Sequence, residues 1–214
     1  MRVWTRRLDV ADDELGEAEA TLSPDERDRA RRFHFEKDRR RFISARAMLR
    51  SIVGERIGVA PADVAFRYGS RGKPELQHTT RAVRFNLSHS EDLCVIAVHD
   101  DREVGVDVER IRPLVDLDAV RKRFFSVRER AAIVGGDPAG LEAFFYFWTL
   151  KEAWLKGSGE GIGDLLTAVE VRHDADGRPS IARVDDPQGG RMPWATKSWS
   201  PAAGFIAALA VRSD

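Results

Sequence analysis

Helical and strand-like segments follow one another along this chain without a regular alternation. Apolar residues between Asp38 and Ile57 recur at helical spacing, whereas Val83–Leu87, Leu93–Val98 and Val104–Val108 are short runs typical of consecutive strands. A regular strand–helix alternation would indicate a parallel sheet with crossover helices, so its absence indicates an α+β fold. With 214 residues, 43% of them hydrophobic, the chain can bury one large core or two small ones.

Two helix starts combine a serine N-cap with a glutamate three residues later, at Ser23–Glu26 and Ser126–Glu129. We expect the first helix to reach about Phe33, and the second to be short because Gly135–Pro138 breaks it. Further helices are predicted at Asp12–Leu22 and Pro138–Lys156. Further strands are predicted at Val3–Val10, Val64–Tyr68, Ala168–Arg172, Ser180–Val184 and Phe205–Val211, with a loop at Gly69–Pro74.

A short internal match links the two halves of the chain. Ala47–Arg50 precedes a glycine-rich segment, and so does Ala153–Lys156. The two gaps differ by one residue, so chance and a duplicated subdomain both remain open. Duplication predicts an N-terminal α+β subdomain at residues 1–100 and a C-terminal one at residues 101–214.

Charge and composition exclude several classes of protein. The 35 basic and 35 acidic residues balance, so a global basic field for nucleic acid is absent. No apolar run approaches the roughly 20 residues that span a bilayer, and Met1–Arg7 lacks the apolar core of a signal peptide. Cys94 is the only cysteine, which excludes a disulfide framework within the chain. We expect a cytoplasmic protein without nucleic-acid or membrane partners.

The first candidate site is the strand Val104–Glu109, in which valines alternate with glycine and acidic residues. On a strand, Asp107 and Glu109 project to the same side, and Gly105 leaves room beside them. Two neighbouring carboxylates repel unless solvent or a cation intervenes, and a hard divalent cation suits such oxygen ligands. Taken alone, the pattern is more typical of a half-exposed strand with a polar face.

The second candidate is the aromatic-rich helix Phe144–Lys156. Trp148, Glu152 and Leu155 share one face, and a carboxylate among apolar neighbours is costly unless it is paired or binds a metal. Lys156 follows Glu152 by one turn, so a simple ion pair within the helix is one interpretation. Burial favours the other, a metal ligand or base beside a phosphate-binding ammonium.

Three weaker candidates carry groups suited to phosphate. They are Asn86-Leu87-Ser88-His89-Ser90 at a predicted strand end, the loop Arg71-Gly72-Lys73-Pro74, and the arginines Arg29, Arg31 and Arg32. Each has a commoner structural explanation when taken alone. These are a capped turn with a structural histidine, a surface loop and a solvated helix face.

In their order and spacing, these segments resemble the 4'-phosphopantetheinyl transferases. The resemblance is to the longer monomeric type that activates peptide and polyketide synthetases, and it spans roughly residues 20 to 170. The segments that carry it are Gly72–Pro74, Asn86–Ser90, Gly105–Glu109, Phe124–Ser126 with Glu129, and Trp148–Lys156.

The resemblance implies that Asp107, Glu109 and Glu152 are ligands of Mg²⁺. It also makes Glu152 the general base, although a metal-bound water remains an alternative, and places Lys156 near the pyrophosphate. Glu129 matches an acidic position near the site, yet its capping role alone would explain it, and both interpretations remain open.

Coenzyme A contacts are implied for residues of the N-terminal half. They are Asn86, Ser88, His89 toward the 3'-phosphate, the loop Arg71, Gly72, Lys73 and Pro74, and Arg29 toward the adenosine 3'-phosphate. Glu26 departs from the family, because relatives often carry a second basic residue there. Which residues besides Arg29 would bind the adenosine 3'-phosphate therefore stays open.

The implied reaction is attack by a serine hydroxyl of an apo acyl or peptidyl carrier protein on the phosphorus that bears pantetheine, with 3',5'-ADP leaving. The implied fold has two similar α+β halves related by a pseudo-two-fold, with the active site at their interface, and a monomer is expected. Two alternatives stay open. One is a metal-dependent phosphohydrolase, and the other is a non-catalytic module that binds coenzyme A or a carrier protein.

Overall fold

A computed structural model describes residues 1–69, 72–77, 82–159, 165–173, 175–183 and 193–213. The chain forms two compact units, Met1–Asp101 (unit 1) and Arg102–Asp214 (unit 2). Helices and strands are mixed in both, which confirms the α+β fold class. Among the described residues, no helix is both long and apolar enough to span a membrane.

Unit 1 combines a three-stranded antiparallel sheet, a long helix and a two-stranded ribbon. Its elements are β1 (Arg2–Arg7), α1 (Asp12–Ala20), α2 (Pro24–Arg31), α3 (Glu36–Ile57), β2 (Phe66–Tyr68), β3 (Pro74–Leu76), β4 (Arg84–Ser90) and β5 (Leu93–His99). The sheet has the order β1-β5-β4, and β2 pairs with β3. Helix α3 buries Leu49 and Val53 in a core with Phe85 and Ile96 of the sheet. It ends at Gly58, whose φ of 79° suits a residue without a Cβ.

Unit 2 repeats this combination. Its elements are β6 (Val104–Arg110), α4 (Leu117–Phe124), α5 (Val127–Ala132), α6 (Pro138–Ser158), α7 (Leu165–Ala168), β7 (Val169–His173), β8 (Pro179–Arg183), β9 (Trp194–Trp199) and β10 (Phe205–Arg212). The sheet has the order β6-β10-β9, and β7 pairs with β8. Helix α6 supplies much of the core, including Phe144, Leu150 and Trp154.

The two units share one order of elements. In each, the first strand pairs with the last, and the last pairs with the strand before it. Helices and then a two-stranded ribbon lie between these strands in the chain. This repeat favours duplication over chance as the origin of the internal sequence match, while the pseudo-two-fold stays a prediction.

Most predicted elements are present, and the differences have local causes. Helix α4, which has no buried residue, and the short strand β3, which begins at the last residue of the predicted loop, were not predicted from the sequence. Nor were α7 and β9. Strand β4 continues through Ser88 and His89 to Ser90, so the predicted polar strand end lies within the strand.

Candidate active site

Strand β6 and helix α6 approach each other closely because two glycines face each other. A Cβ on Gly105 would overlap the carbonyl oxygen of Ala153 and the amide nitrogen of Gly157, and would lie 2.7 Å from Gly157 Cα. The space beside Gly105 is therefore filled by the backbone of α6. This contact sets the distance between the acidic strand and the helix that carries Glu152.

Asp107 and Glu152 are both buried next to this contact, with 2% and 4% of their surface exposed, whereas Glu109 is half-buried. The Lys156 ammonium donates a hydrogen bond to Asp107 Oδ1 at 2.5 Å. Lys156 therefore pairs with an acidic residue across on β6, and its charge also acts on Glu152 of its own helix. The Lys156 ammonium thus lies beside an acidic group in which Asp107 and Glu152 are buried.

The electrostatics of Glu152 connect all four predicted residues of unit 2. Burial and the negative charges of Asp107 and Glu109 together raise the pKa of Glu152 to about 7, against the opposing effect of the Lys156 charge. A carboxyl group in this state is ionised only in part near neutral pH. In the structure, the charges of Asp107, Glu109 and Lys156 therefore lie close enough to Glu152 to change its pKa.

The donor chemistry of this cluster fits Mg²⁺, which prefers carboxylate oxygens and needs few of them from the protein. A buried carboxylate with carboxylate neighbours, such as Glu152, is also stabilised in its ionised form by a nearby cation. Among the described residues, however, no group of three His, Cys, Asp or Glu side chains is arranged to hold a metal ion. In this structure the positive charge beside Asp107 is the Lys156 ammonium.

Glu129 is buried in unit 2, where it joins three elements. Its carboxylate accepts hydrogen bonds from the backbone of Ser126 and of Val171, both at 2.8 Å, and it pairs with Lys151 Nζ at 2.8 Å. Glu129 therefore caps α5, as the sequence predicts, and also anchors α6. Lys151, which sequence analysis did not single out, could have been found as a lysine inside an apolar helix.

Trp148 lies in an aromatic cluster on α6. Its ring stacks on Phe144 with centroids 5.8 Å apart, and it contacts Phe124 edge-on at 6.0 Å. The side chain is half-buried rather than fully enclosed. Its role visible in the structure is to pack α6 against the end of α4.

The predicted coenzyme A residues of unit 1 have mixed exposure. Asn86 and Ser88 are buried in β4, whereas His89 is exposed and projects to the opposite face of that strand. Arg29 is exposed on α2, with its guanidinium 5.3 Å from the centre of the Phe42 ring.

The predicted phosphate loop is described only in part. Gly72 has a φ of 76°, and Lys73 and Pro74 follow it at the start of β3. Arg71 lies outside the described residues. Tyr68, the last residue of β2, pairs with Pro74 by register at the same end of the ribbon.

Glu26 is a buried structural residue. Its carboxylate binds Arg46 Nε at 2.7 Å and Arg50 Nε at 2.5 Å, and Arg46 also donates to the Tyr68 hydroxyl at 2.9 Å. Burial raises the pKa of Glu26, but the two guanidinium groups more than offset this, and the pKa is lowered. The carboxylate that replaces a basic residue of the family is thus neutralised inside unit 1.

Two family models match this chain, one in each half. The model described as the 4'-phosphopantetheinyl transferase superfamily matches residues 103–210, and the one described as 4'-phosphopantetheinyl transferase, N-terminal, matches residues 9–101.

Curated relatives agree with these matches. The 4'-phosphopantetheinyl transferase HetI of Nostoc sp. is 44% identical over 168 residues, which cover 77% of this chain and 71% of HetI. The transferase psf-1 of Bacillus pumilus is 33% identical, over 86% of this chain and 80% of its own length. Sfp of Bacillus subtilis is 32% identical, over 77% and 72%. The family predicted from the motifs is confirmed, and this chain belongs to the 4'-phosphopantetheinyl transferase superfamily.

Proposed function

We propose that this protein transfers phosphopantetheine from coenzyme A to a serine of an apo carrier protein and releases 3',5'-ADP. The observation that carries the proposal is the cluster of buried Asp107 and Glu152 with half-buried Lys156, within the region that matches the superfamily model. The related proteins are named as transferases of this kind. The finer proposals are that the carriers belong to peptide or polyketide synthetases and that the enzyme is a cytoplasmic monomer.

The acidic residues of unit 2 are proposed to hold Mg²⁺ through Asp107, Glu109 and Glu152. A bound Mg²⁺ would supply positive charge to the pyrophosphate oxygens as the phosphorus–oxygen bond breaks. Lys156 would then exchange its bond to Asp107 for one to the departing phosphate, because an ammonium is a mobile point charge on a flexible stem.

Glu152 is proposed to accept the proton of the attacking serine. Glu152 is buried beside Asp107 and Lys156, so the hydroxyl of a serine that attacks a phosphorus bound there would come within reach of its carboxylate. The proton leaves the serine oxygen as that oxygen bonds to phosphorus, and the bond to 3',5'-ADP breaks on the other side.

The nucleotide end of coenzyme A is proposed to contact unit 1. The residues proposed for this role are Arg29, Arg71, Gly72, Lys73, Pro74, Asn86, Ser88 and His89. Arg29 and His89 are exposed and positively charged or able to become so, which suits a phosphate. Asn86 and Ser88 are buried. They would therefore either contact an enclosed part of coenzyme A or hold β4 in place beside it.

Intact-mass analysis of apo carrier proteins incubated with coenzyme A, Mg²⁺ and this enzyme tests the function. We expect the carrier to gain one phosphopantetheine and an equal amount of 3',5'-ADP to appear, only when the carrier is present. Release of 3',5'-ADP without a carrier would indicate a phosphohydrolase. Binding of coenzyme A without any product would indicate a non-catalytic module.

Alanine variants at Arg29, Lys73 and His89 test the nucleotide contacts. We expect each variant to raise KM for coenzyme A by about tenfold while kcat changes little, since these groups bind the donor away from the reacting phosphorus. The matched donor is dephospho-coenzyme A, which lacks the 3'-phosphate, and with it the variants should differ little from wild type. Variants that discriminate between the two donors as strongly as wild type does would show that these residues do not read that phosphate.

A further inference from the structure

We infer that the buried Glu129–Lys151 pair is a positioning device, which fixes the rotation of α6 and so the place of Glu152. This inference rests on the proposed function, because it gives Glu152 a task that depends on its position. Neither residue of the pair is assigned to contact substrate or metal here.

Lys151 is completely buried, and each of its three ammonium hydrogens has an acceptor. Nζ lies 2.9 Å from the Phe124 carbonyl oxygen, 3.0 Å from the Leu166 carbonyl oxygen and 2.8 Å from Glu129 Oε2. These acceptors belong to the end of α4, to α7 and to α5. One side chain of α6 is therefore held from three directions.

Glu129 completes the anchor on its other side. Its Oε1 accepts a hydrogen bond from the Val171 amide at 2.8 Å, which ties the pair to β7. Its Oε2 also accepts from the Ser126 amide at 2.8 Å, which fixes the carboxylate to the start of α5. Both charges are thus satisfied inside the core of unit 2.

Glu152 is the next residue after Lys151 on the same helix, so the anchor controls it through a rigid backbone. A rotation of α6 by roughly 10° would move a carboxyl group that lies about 6 Å from the helix axis by about 1 Å. Misplacement by about 1 Å can reduce a rate about 100-fold. Holding Lys151 therefore holds Glu152 against Asp107 and Lys156.

Stability alone is a weak reason for this pair. Replacing a buried ion pair with apolar residues of similar volume is often neutral or stabilising. Around Lys151, residues such as Leu150 and Trp154 already bury apolar surface. Apolar contacts have no direction, whereas hydrogen bonds weaken steeply when they are bent. The pair adds a directional constraint that apolar packing does not supply.

Unit 1 contains a comparable buried cluster, of one glutamate and two arginines, that serves as a control. Glu26 stands at the same position of the other capping box, is equally buried, and binds Arg46 and Arg50 of the long helix α3. Loss of its charge disturbs a similar buried cluster in the unit that lacks Glu152. Glu26→Gln and Glu129→Gln are therefore the same chemical change at two comparable sites.

The test measures Tm, kcat with saturating coenzyme A and carrier, and Mn²⁺ binding by electron paramagnetic resonance in the presence of coenzyme A without carrier. We expect both variants to lower Tm. Only Glu129→Gln should weaken Mn²⁺ binding, by about tenfold or more, as loss of a supporting contact does at metal sites. It should also lower kcat by about 100-fold at a temperature where the protein is folded.

The double variant Glu129→Gln/Lys151→Met separates position from stability, and it also serves if Glu129→Gln does not fold. Removing both charges should restore much of the Tm, but not the Mn²⁺ affinity or kcat. The inference is wrong if the double variant recovers its Mn²⁺ affinity and its kcat together with its Tm. It is also wrong if Glu26→Gln weakens Mn²⁺ binding as much as Glu129→Gln does.

Failure of the proposed function would give a different result, because the wild-type protein would then release no 3',5'-ADP in the presence of carrier. If wild type is active but binds no Mn²⁺, the metal proposal fails and kcat alone decides the inference.

Discussion

Replacement of Glu152 by glutamine is expected to remove most of the transferase activity while making the metal-free protein more stable at pH 8. Glutamine has nearly the same shape but cannot accept a proton or carry the charge that a cation needs. Loss of a general base typically costs between about 100-fold and 10,000-fold in rate. We expect kcat to fall by about 1,000-fold at saturating coenzyme A and Mg²⁺, as followed by 3',5'-ADP release.

The stability gain follows from the raised pKa of Glu152. The pKa of this carboxyl rises from an ordinary value of 4.5 to about 7 in the folded protein. The protonated form is therefore favoured by folding, and the contribution of Glu152 to stability is present below pH 4.5 and lost as the pH rises through 7. Between the unfolded and the folded protein, this pKa difference corresponds to about 3 kcal/mol in the free energy of unfolding at pH 8, since one pKa unit is about 1.4 kcal/mol.

Chemical denaturation in EDTA at pH 4.5 and at pH 8 measures this difference. Glu152→Gln should unfold at a higher denaturant concentration than wild type at pH 8 and at nearly the same concentration at pH 4.5. Glu17→Gln, on the exposed side of α1, is the matched control and should follow wild type at both pH values. Near-normal turnover in Glu152→Gln would exclude Glu152 as ligand and base.

Gly105→Ala is expected to be strongly destabilising, although it adds a single methyl group. That methyl would overlap the backbone of α6 at Ala153 and Gly157, and a backbone moves aside less easily than the end of a side chain. Overpacking of a core costs about 1 to 3 kcal/mol, and sometimes more. Because Asp107 lies two residues further along β6, we also expect activity to fall about 100-fold from its displacement.

Gly16→Ala provides a control with the opposite sign. Gly16 is exposed within α1, and a Cβ there would meet no atom within 4 Å. Alanine at a helical position is about 1 kcal/mol better than glycine, so this variant should unfold at a slightly higher temperature and keep its activity. Calorimetry of both variants beside wild type makes the comparison. A Gly105→Ala protein with wild-type Tm and kcat would contradict the close contact.

Local signals in the sequence predicted local structure well. Both serine–glutamate capping boxes start helices, since the interactions that form them span only three residues. The period-two pattern of β6 and the helical spacing of α6 likewise identified the elements that carry Asp107 and Glu152. The family then followed from the order of the motifs.

The partners of charged groups could not be predicted in the same way. Nothing in the local pattern tells whether Lys156 pairs with Glu152 one turn away or with Asp107 on another element, because that depends on how β6 crosses α6. The same holds for Glu26 and Glu129, whose second role comes from contact with a distant helix. Strand β4 also continued past its predicted end because buried polar residues hide the pattern.

The pairing of the first strand of each unit with its last has a consequence for synthesis on the ribosome. Unit 1 can close its sheet once β5 has emerged, while most of unit 2 is still untranslated. Asp107, by contrast, lies opposite Ala208 of β10. The ribosome must add roughly a hundred residues between them, which takes about 5 to 20 s at ordinary elongation rates. During that time β6, which carries Asp107 and Glu109, has no strand to pair with in its sheet. The acidic site can therefore form only after β10 has been synthesised.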